Sequence, residues 1–301
     1  MKRWIGACAA LVLLLASLSA CGTDAGAEVN GSPVGEGVCL YFDDLARSEA
    51  PDADEAARQA SADKMLAEYV AINSAFTGRG LSLTVVQKAE VSQTVNDLWR
   101  LFGDYYTNLG VTKQDLWKVE TSEAYKDAVM TDYYAADGDE PVDEATLQAY
   151  FSENYIAFQS ITGFLTTVDD SGDAVAMSET ERANIVTSFE NMASSIAGGS
   201  SVAEEAAKAS NTISNTETVV VSRADENYSD AFFEHVFAME NNTASVFTDG
   251  DYVFLVLRED ITDAERNLFA DYRTDCLRTL KGEEFDTVVA AWAESYAVTR
   301  V

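Results

Sequence analysis

The sequence predicts an α+β fold, and three observations carry the prediction. From Val38 to Phe158 the apolar positions recur at helical spacing. At Ser160 the period shortens, and strand-like runs bounded by Gly, Asn and Asp follow. After Thr262 the helical spacing returns and runs almost to the end.

The chain has 301 residues, enough for one large or two modest domains. It carries 20 Lys and Arg against 51 Asp and Glu, a formal net charge of −31. Without a basic stripe to neutralise phosphates, nucleic acid is excluded as a partner. The same charge repels an anionic lipid surface and favours solubility. Its functional reading is attraction for basic, partly unfolded client chains.

Lys2 and Arg3 precede an apolar run, Ile5 to Leu18, shorter than the roughly 20 residues of a spanning helix. Leu18-Ser19-Ala20-Cys21 follows. This pattern resembles a bacterial lipoprotein signal, cut before the cysteine. The resemblance implies a signal peptide over residues 1–20, a diacylglycerol on Cys21 and a tether over 21–27. Two acyl chains give a stable anchor where one is marginal. The expected location is extracytoplasmic, lipid-anchored to the bacterial cell membrane. Cys8 lies inside the apolar run. Beyond Cys21, Cys39 and Cys276 are either two free thiols or one disulfide.

Taken in order, Glu28-Val29-Asn30-Gly31 and Pro33-Val34 read as a short strand and a turn. Val38, Tyr41, Phe42 and Leu45 mark a first helix. Asp52 to Phe76 is a second, with Met65, Tyr69, Ile72 and Phe76 on one side. Thr84-x-x-Gln87 is a capping box. The helix it opens carries Val85, Ala89, Val95, Leu98, Trp99, Phe102, Tyr105, Tyr106 and Leu109 inward, and Gly110 ends it. Thr112 starts a shorter helix with Leu116 and Trp117, and Ser122 to Ala135 is another. Asp143 caps Glu144 to Phe158, whose Leu147, Tyr150, Phe151, Tyr155 and Phe158 form one stripe.

Ile161 to Val168 reads as a strand and 169–173 as a turn. Ser178-x-x-Glu181 caps a helix ended by Gly198-Gly199, and Ser201-x-x-Glu204 caps a shorter one. Asn211 to Asn215 reads as loop and Glu217 to Ser222 as strand. Ser229 caps a helix with Phe232, Phe233, Val236 and Phe237 on one face. Ser245 to Thr248 and Tyr252 to Leu257 flank Asp249-Gly250, a hairpin signal, and the second run is apolar enough for a central strand. Thr262-x-x-Glu265 caps a helix lined by Leu268, Tyr272, Cys276 and Leu280 and ended by Gly282. A last helix carries Phe285, Val288, Val289 and Trp292, and Ala297 to Val301 reads as a strand.

The order of these parts resembles the PrsA/SurA-type extracytoplasmic foldases. The residues that carry it are the lipobox, Val29-Asn30-Gly31, the helix from Asp143 to Phe158, the α/β unit after it and the closing helix pair and strand. The resemblance implies a helical SurA-N-like chaperone domain over 28–158, completed by 262–301. An inserted parvulin-like peptidyl-prolyl isomerase domain then spans 159–261. It also implies that the strand near Val298 pairs beside Val29, that Cys276 approaches Cys39, and that the partners are unfolded or extended secreted polypeptides.

Prolyl isomerisation makes and breaks no bond; its barrier is about 18–20 kcal/mol. An enzyme holds the proline ring in an apolar pocket and favours the twisted amide electrostatically. By resemblance, Tyr228, Phe232 and Phe237 stand at the family's apolar pocket positions. With Phe164 and Leu255 on neighbouring strands they make the candidate proline or client pocket. The two family histidine positions fall on Gly163 and Val253, and the family's Gly-rich stretch has no counterpart between Ser210 and Ser222. The expectation is a parvulin-like domain without family-type catalysis. His235 lies off the phenylalanine face and reads as exposed or satisfied. The Asp clusters at 137–140, 169–173 and 249–251 lack calcium-loop spacing, so neither metal nor cofactor is expected. The aromatic residues of 98–106 and 117–134 read as core, with a client groove as the alternative.

The function expected is therefore a membrane-anchored folding factor. The alternatives are an isomerase with a rearranged pocket around Phe232 and Phe237, or a non-catalytic surface lipoprotein that serves as a binding module.

Overall fold

The computed structural model describes residues 25–169 and 171–301. The signal segment, Cys8 and Cys21 lie outside the described residues. In order, the elements are β1 (Ala25–Val29), β2 (Ser32–Gly35), α1 (Glu36–Glu49), α2 (Glu55–Gly78), α3 (Val85–Leu109) and α4 (Lys113–Tyr133). Then come α5 (Glu144–Asn154), β3 (Tyr155–Phe164), β4 (Thr166–Val168), β5 (Ala174–Ala176), α6 (Glu179–Ala197) and α7 (Val202–Ala206). The rest are β6 (Thr212–Ser222), α8 (Asp230–Ala238), β7 (Thr243–Asp249), β8 (Tyr252–Glu259), α9 (Phe269–Ala293) and β9 (Val298–Arg300). The fold is α+β. It divides into two units, residues 25–140 with 281–301, and residues 141–280.

In the first unit, Asn30 and Gly31 have φ of 50° and 78° and form the two-residue turn between β1 and β2. Positive φ at both central residues is what an Asn-Gly hairpin supplies. β1 pairs on its other edge with β9, Val29 opposite Val298. The strand begins at Ala25, inside the expected tether, because Ala27 is paired on both sides, with Val34 and Arg300. Asn30 Nδ2 donates to Ser295 O, and Asn30 Oδ1 accepts from Ala297 N. Arg300 then reaches α1 and α2, donating to both carboxylate oxygens of Asp43 and to Asp63. Val29, Val34, Val38, Phe42, Leu66 and Val119 form the core beneath this sheet.

In the second unit, β6, β3, β8 and β7 form an antiparallel sheet in that order. β8 is central, as its apolar run requires. Ile161, Leu165, Val253 and Leu255 face Phe189, Met192 and Ile196 of α6 and Val202 of α7. Ile156, Phe158, Val221 and Val256 face Phe232, Phe233 and Val236 of α8. The sheet is therefore covered on both faces. This unit takes in more than 159–261: Phe151 of α5 lies 5.7 and 5.8 Å, ring to ring, from Phe269 and Tyr272, and Arg273 pairs with Glu144.

Several local expectations give way to tertiary contacts. Tyr155 and Phe158 continue the apolar stripe of α5 yet lie in β3, where β6 and β8 both pair with the backbone. β4 separates from β3 at Leu165 and pairs with β5 across the 169–173 turn. Residues 212–215 pair with β3 and are strand, not loop. Ser122 does not start a helix: it is buried, its hydroxyl accepts from Asn73 Nδ2, and α4 runs through it. Thr262 caps nothing, since Asp260 and Asp263 take the turn amides of Thr262 and Glu265. α9 starts at Phe269 and passes through Gly282. A helical Gly costs about 1 kcal/mol, less than the buried Leu277 and Phe285 on either side return.

Arg300→Met should cost the fold about 2 kcal/mol, because it leaves Asp43 and Asp63 without their shared donor. Denaturant unfolding would check this, and a midpoint unmoved by the substitution would contradict it.

Candidate functional site

Ser229 holds the start of α8, its hydroxyl accepting from Phe232 N at 3.0 Å, and it donates to Asp249 at the far end of β7. Arg258 holds the other end, donating to the carbonyls of Val236, Phe237 and Met239. A guanidinium there answers the partial negative charge of a helix C-terminus. The helix is thereby fixed over the sheet with Phe232 and Phe233 inward.

Of the five pocket candidates, the structure brings four to one face. The Tyr228 and Phe232 rings lie 4.5 Å apart between centroids, tilted by 33°, and Phe158, Phe247 and Phe254 each lie 5.3–5.7 Å from Phe232. Phe164 joins through Tyr252, which lies 6.1 Å from Phe254. Phe237 sits beside Phe233 under the Arg223 guanidinium, whose Cζ is 3.9 Å from the ring centroid. Leu255 is on the opposite face of the sheet with α6. The rings pack on one another around Phe232, which is 1% exposed. Burial pushes the Tyr228 phenol up, so it stays neutral.

The two positions where resemblance places histidines face each other across the β3–β8 ladder, Gly163 opposite Val253. A Cβ on Gly163 would lie 2.6 Å from Phe189 Cζ and 3.0 Å from Val253 Cγ1. Glycine is needed there because α6 packs directly onto the backbone. The position is surrounded by apolar side chains, and it lies on the α6 face, not the α8 face. His235 stacks on Phe247 at 4.0 Å and shares a hydrogen bond with Ser245 Oγ at 3.0 Å; burial pushes its imidazole down. It is a satisfied packing residue. Cys39 and Cys276 are free thiols, each buried in a different unit, and burial pushes Cys39 up to about 11.

The first unit offers a different surface. Val91 and Val95 of α3 pack with Leu116 of α4. Seven residues beyond Val95, Phe102 continues the same helical face but is 49% exposed. Leu101 and Tyr105 beside it are 61% and 50% exposed, and Trp117 of α4 is 47% exposed. Phe102, Tyr105 and Trp117 depart from the expectation that the aromatic positions of 98–106 and 117–134 are core, whereas Trp99 and Tyr106 pack against Val91, Val95 and Leu116, and Tyr133 and Tyr134 are buried. An open groove of about 610 Å³ runs along Ser92, Val95, Asn96, Lys113, Gln114 and Trp117. Tyr105 is oriented by its hydroxyl, which donates to Asp44 Oδ2 at 2.6 Å. Leu101 lies off the face that spacing selects, so only its bulk marks it in the sequence. Covering the exposed parts of these side chains is worth on the order of 1 kcal/mol each, which suits reversible contact with apolar segments.

Phe232→Ala should cost the second unit about 3–5 kcal/mol of stability, as removal of a buried ring does. In a protease-coupled proline-peptide assay the parent chain should not exceed background. Turnover that disappears with Phe232→Ala would contradict the reading of these rings as packed core.

The chain is similar to several solved structures. The foldase protein PrsA of Streptococcus pneumoniae aligns at 13% identity over 83% of this chain and 87% of that one, with a TM-score of 0.42. PrsA of Bacillus subtilis aligns at 11% identity over 91% and 93%, with a TM-score of 0.38. A chain from the structures of PEB4 and Cj1289, two SurA-like chaperones of Campylobacter jejuni, aligns at 9% identity over 92% and 99%, with a TM-score of 0.29. No protein-family profile and no curated protein matches the chain.

Proposed function

We propose that this protein is an extracytoplasmic folding factor that holds unfolded secreted polypeptides on the exposed apolar surface of α3 and α4. The observation that carries the reading is the face of α3: it stays apolar past Val95, yet Phe102 and Tyr105 are left about half exposed, and Leu101 beside them is 61% exposed. A soluble chain gains nothing in stability from leaving such side chains uncovered, and a patch of this kind marks an interaction surface. The net charge of −31 keeps copies of the protein apart and favours basic, unfolded segments. The signal-like segment and Cys21 support export and a lipid anchor, with the folded part held off the membrane by its own charge. The sheet unit serves as a structural or binding remnant of an isomerase domain, with Gly163 and Val253 where the chemistry would need polar groups.

The full chain in nanodiscs of zwitterionic lipid should slow the aggregation of a reduced, unfolded secreted client. The triple variant Leu101→Ser, Phe102→Ser, Trp117→Ser should lose most of that effect while its melting temperature is kept. An unchanged aggregation rate with the parent chain would sink the proposal. Cys21→Ala should move the protein from the membrane to the soluble fraction, and full membrane retention would contradict the anchor.

A further inference from the structure

Asn30 and Gly31, the turn between β1 and β2, form the one Asn-Gly pair in the sequence. Asparagine followed by glycine is prone to a reaction within the chain. The backbone nitrogen of the next residue attacks the side-chain amide carbon, and a glycine puts no Cβ in the way. Here both residues are exposed, and a Cβ added to Gly31 would meet nothing within 4 Å beyond its neighbours in the chain. The Gly31 N–H donates to no group among the described residues, so its nitrogen is free to act as the nucleophile. The other reactant is restrained. Asn30 Nδ2 donates to Ser295 O at 3.2 Å, and Asn30 Oδ1 accepts from Ala297 N at 2.8 Å. The Asn30 N–H donates to Ala297 O at 3.0 Å. Attack turns the amide carbon tetrahedral and expels Nδ2, so both side-chain bonds must break. The reaction therefore waits on release of residues 295–297.

We propose that Asn30 is a deamidation site, its reaction held off while the amide clasps residues 295–297, and that conversion leaves the clasp unable to close. The net reaction is a hydrolysis. Gly31 N loses its proton and bonds to Asn30 Cγ, the Cγ–Nδ2 bond breaks, and Nδ2 leaves as ammonia, giving a cyclic imide. Water then opens the ring at either carbonyl and leaves an aspartate or an isoaspartate at position 30. Either product lacks the donor to Ser295 O and sets a carboxylate against that carbonyl, two acceptors with no proton between them. The isoaspartate also adds a methylene to the backbone of a two-residue turn, which the pairing of Val29 with Ser32 does not accommodate. The pairing of Val29 with Val298, and of Arg300 with Asp43 and Asp63, then loses the contact that aligns it. Asn211 is the contrast within the chain. It is exposed with φ of 57°, but Thr212 follows it, and a branched Cβ obstructs the same attack.

Peptide mapping of the full chain by mass spectrometry, during incubation in mildly alkaline buffer, tests this. Unfolded in urea, position 30 should convert faster than Asn211, and Gly31→Ala should slow it severalfold. Without urea, conversion at position 30 of the parent chain should be at least about tenfold slower, because it proceeds only through the open clasp. Arg300→Met, which weakens the clasp without touching the turn, should recover most of that rate in the folded chain and change nothing in urea. Asn30→Asp should melt below the parent chain. Equal rates at position 30 with and without urea, or protection that Arg300→Met leaves intact, overturn the clasp as the restraint. Conversion at position 30 no faster than at Asn211 in urea overturns the site itself. Melting of Asn30→Asp together with the parent overturns the claim that conversion keeps the clasp open.

Discussion

Asn30 closes the first unit by tying its two chain ends together. Its backbone shapes the turn that aligns β1 with β2, and its side chain holds Ser295 and Ala297 so that β9 can pair with β1. Val29 is consequently flanked by Ser32 on one side and Val298 on the other. Arg300 locks the arrangement to α1 and α2 through Asp43 and Asp63. A polar asparagine is suited to this task because its amide both donates and accepts, and because it tolerates the left-handed backbone the turn demands. With β1 and β9 in one sheet, residues 141–280 can only be an insertion, entered after α4 and left along α9.

Within the inserted unit, close packing of α6 on β3 leaves space for no side chain at Gly163. The opposing Val253 is fully buried. On the other face, rings from α8, β3, β7 and β8 occupy one another's volume. Both faces of this sheet are covered by helix side chains, and Gly163 and Val253 stand where the resemblance places histidines. Prolyl isomerisation needs preorganised donors in a site with room for the substrate. The exposed side chains of Leu101, Phe102, Tyr105 and Trp117 lie in the other unit.

Much of the fold was legible because its signals are local. Thr84 with Gln87, Ser178 with Glu181 and Ser201 with Glu204 form the reciprocal caps their spacing implies, each satisfying amides that no other group reaches. Asn30-Gly31 makes the hairpin its positive-φ preference implies, while the second hairpin turns one residue later than read, on Gly250-Asp251, because Asp249 still pairs with Tyr252. What spacing could not give is whether a partner covers an apolar face. Val95 and Phe102 share one face of α3, and only three-dimensional packing shows that α4 covers the first and leaves the second half exposed. Nor does period distinguish the end of α5 from the start of β3, because Tyr155 and Phe158 fit both patterns until β6 and β8 pair beside them. Leu255 is a strand residue whose alternation was readable, but which face carries α8 was not.

The proposed holding of a client by α3 and α4 depends on Phe102 and Trp117 being where the client touches. A photo-activatable cross-linker placed in turn at Phe102, at Trp117 and at Val175, an exposed apolar residue of β5, tests this directly in the presence of a labelled unfolded client. The prediction is strong cross-linking from 102 and 117 and little from 175. Equal cross-linking from all three positions, or cross-linking from 175 alone, would contradict it.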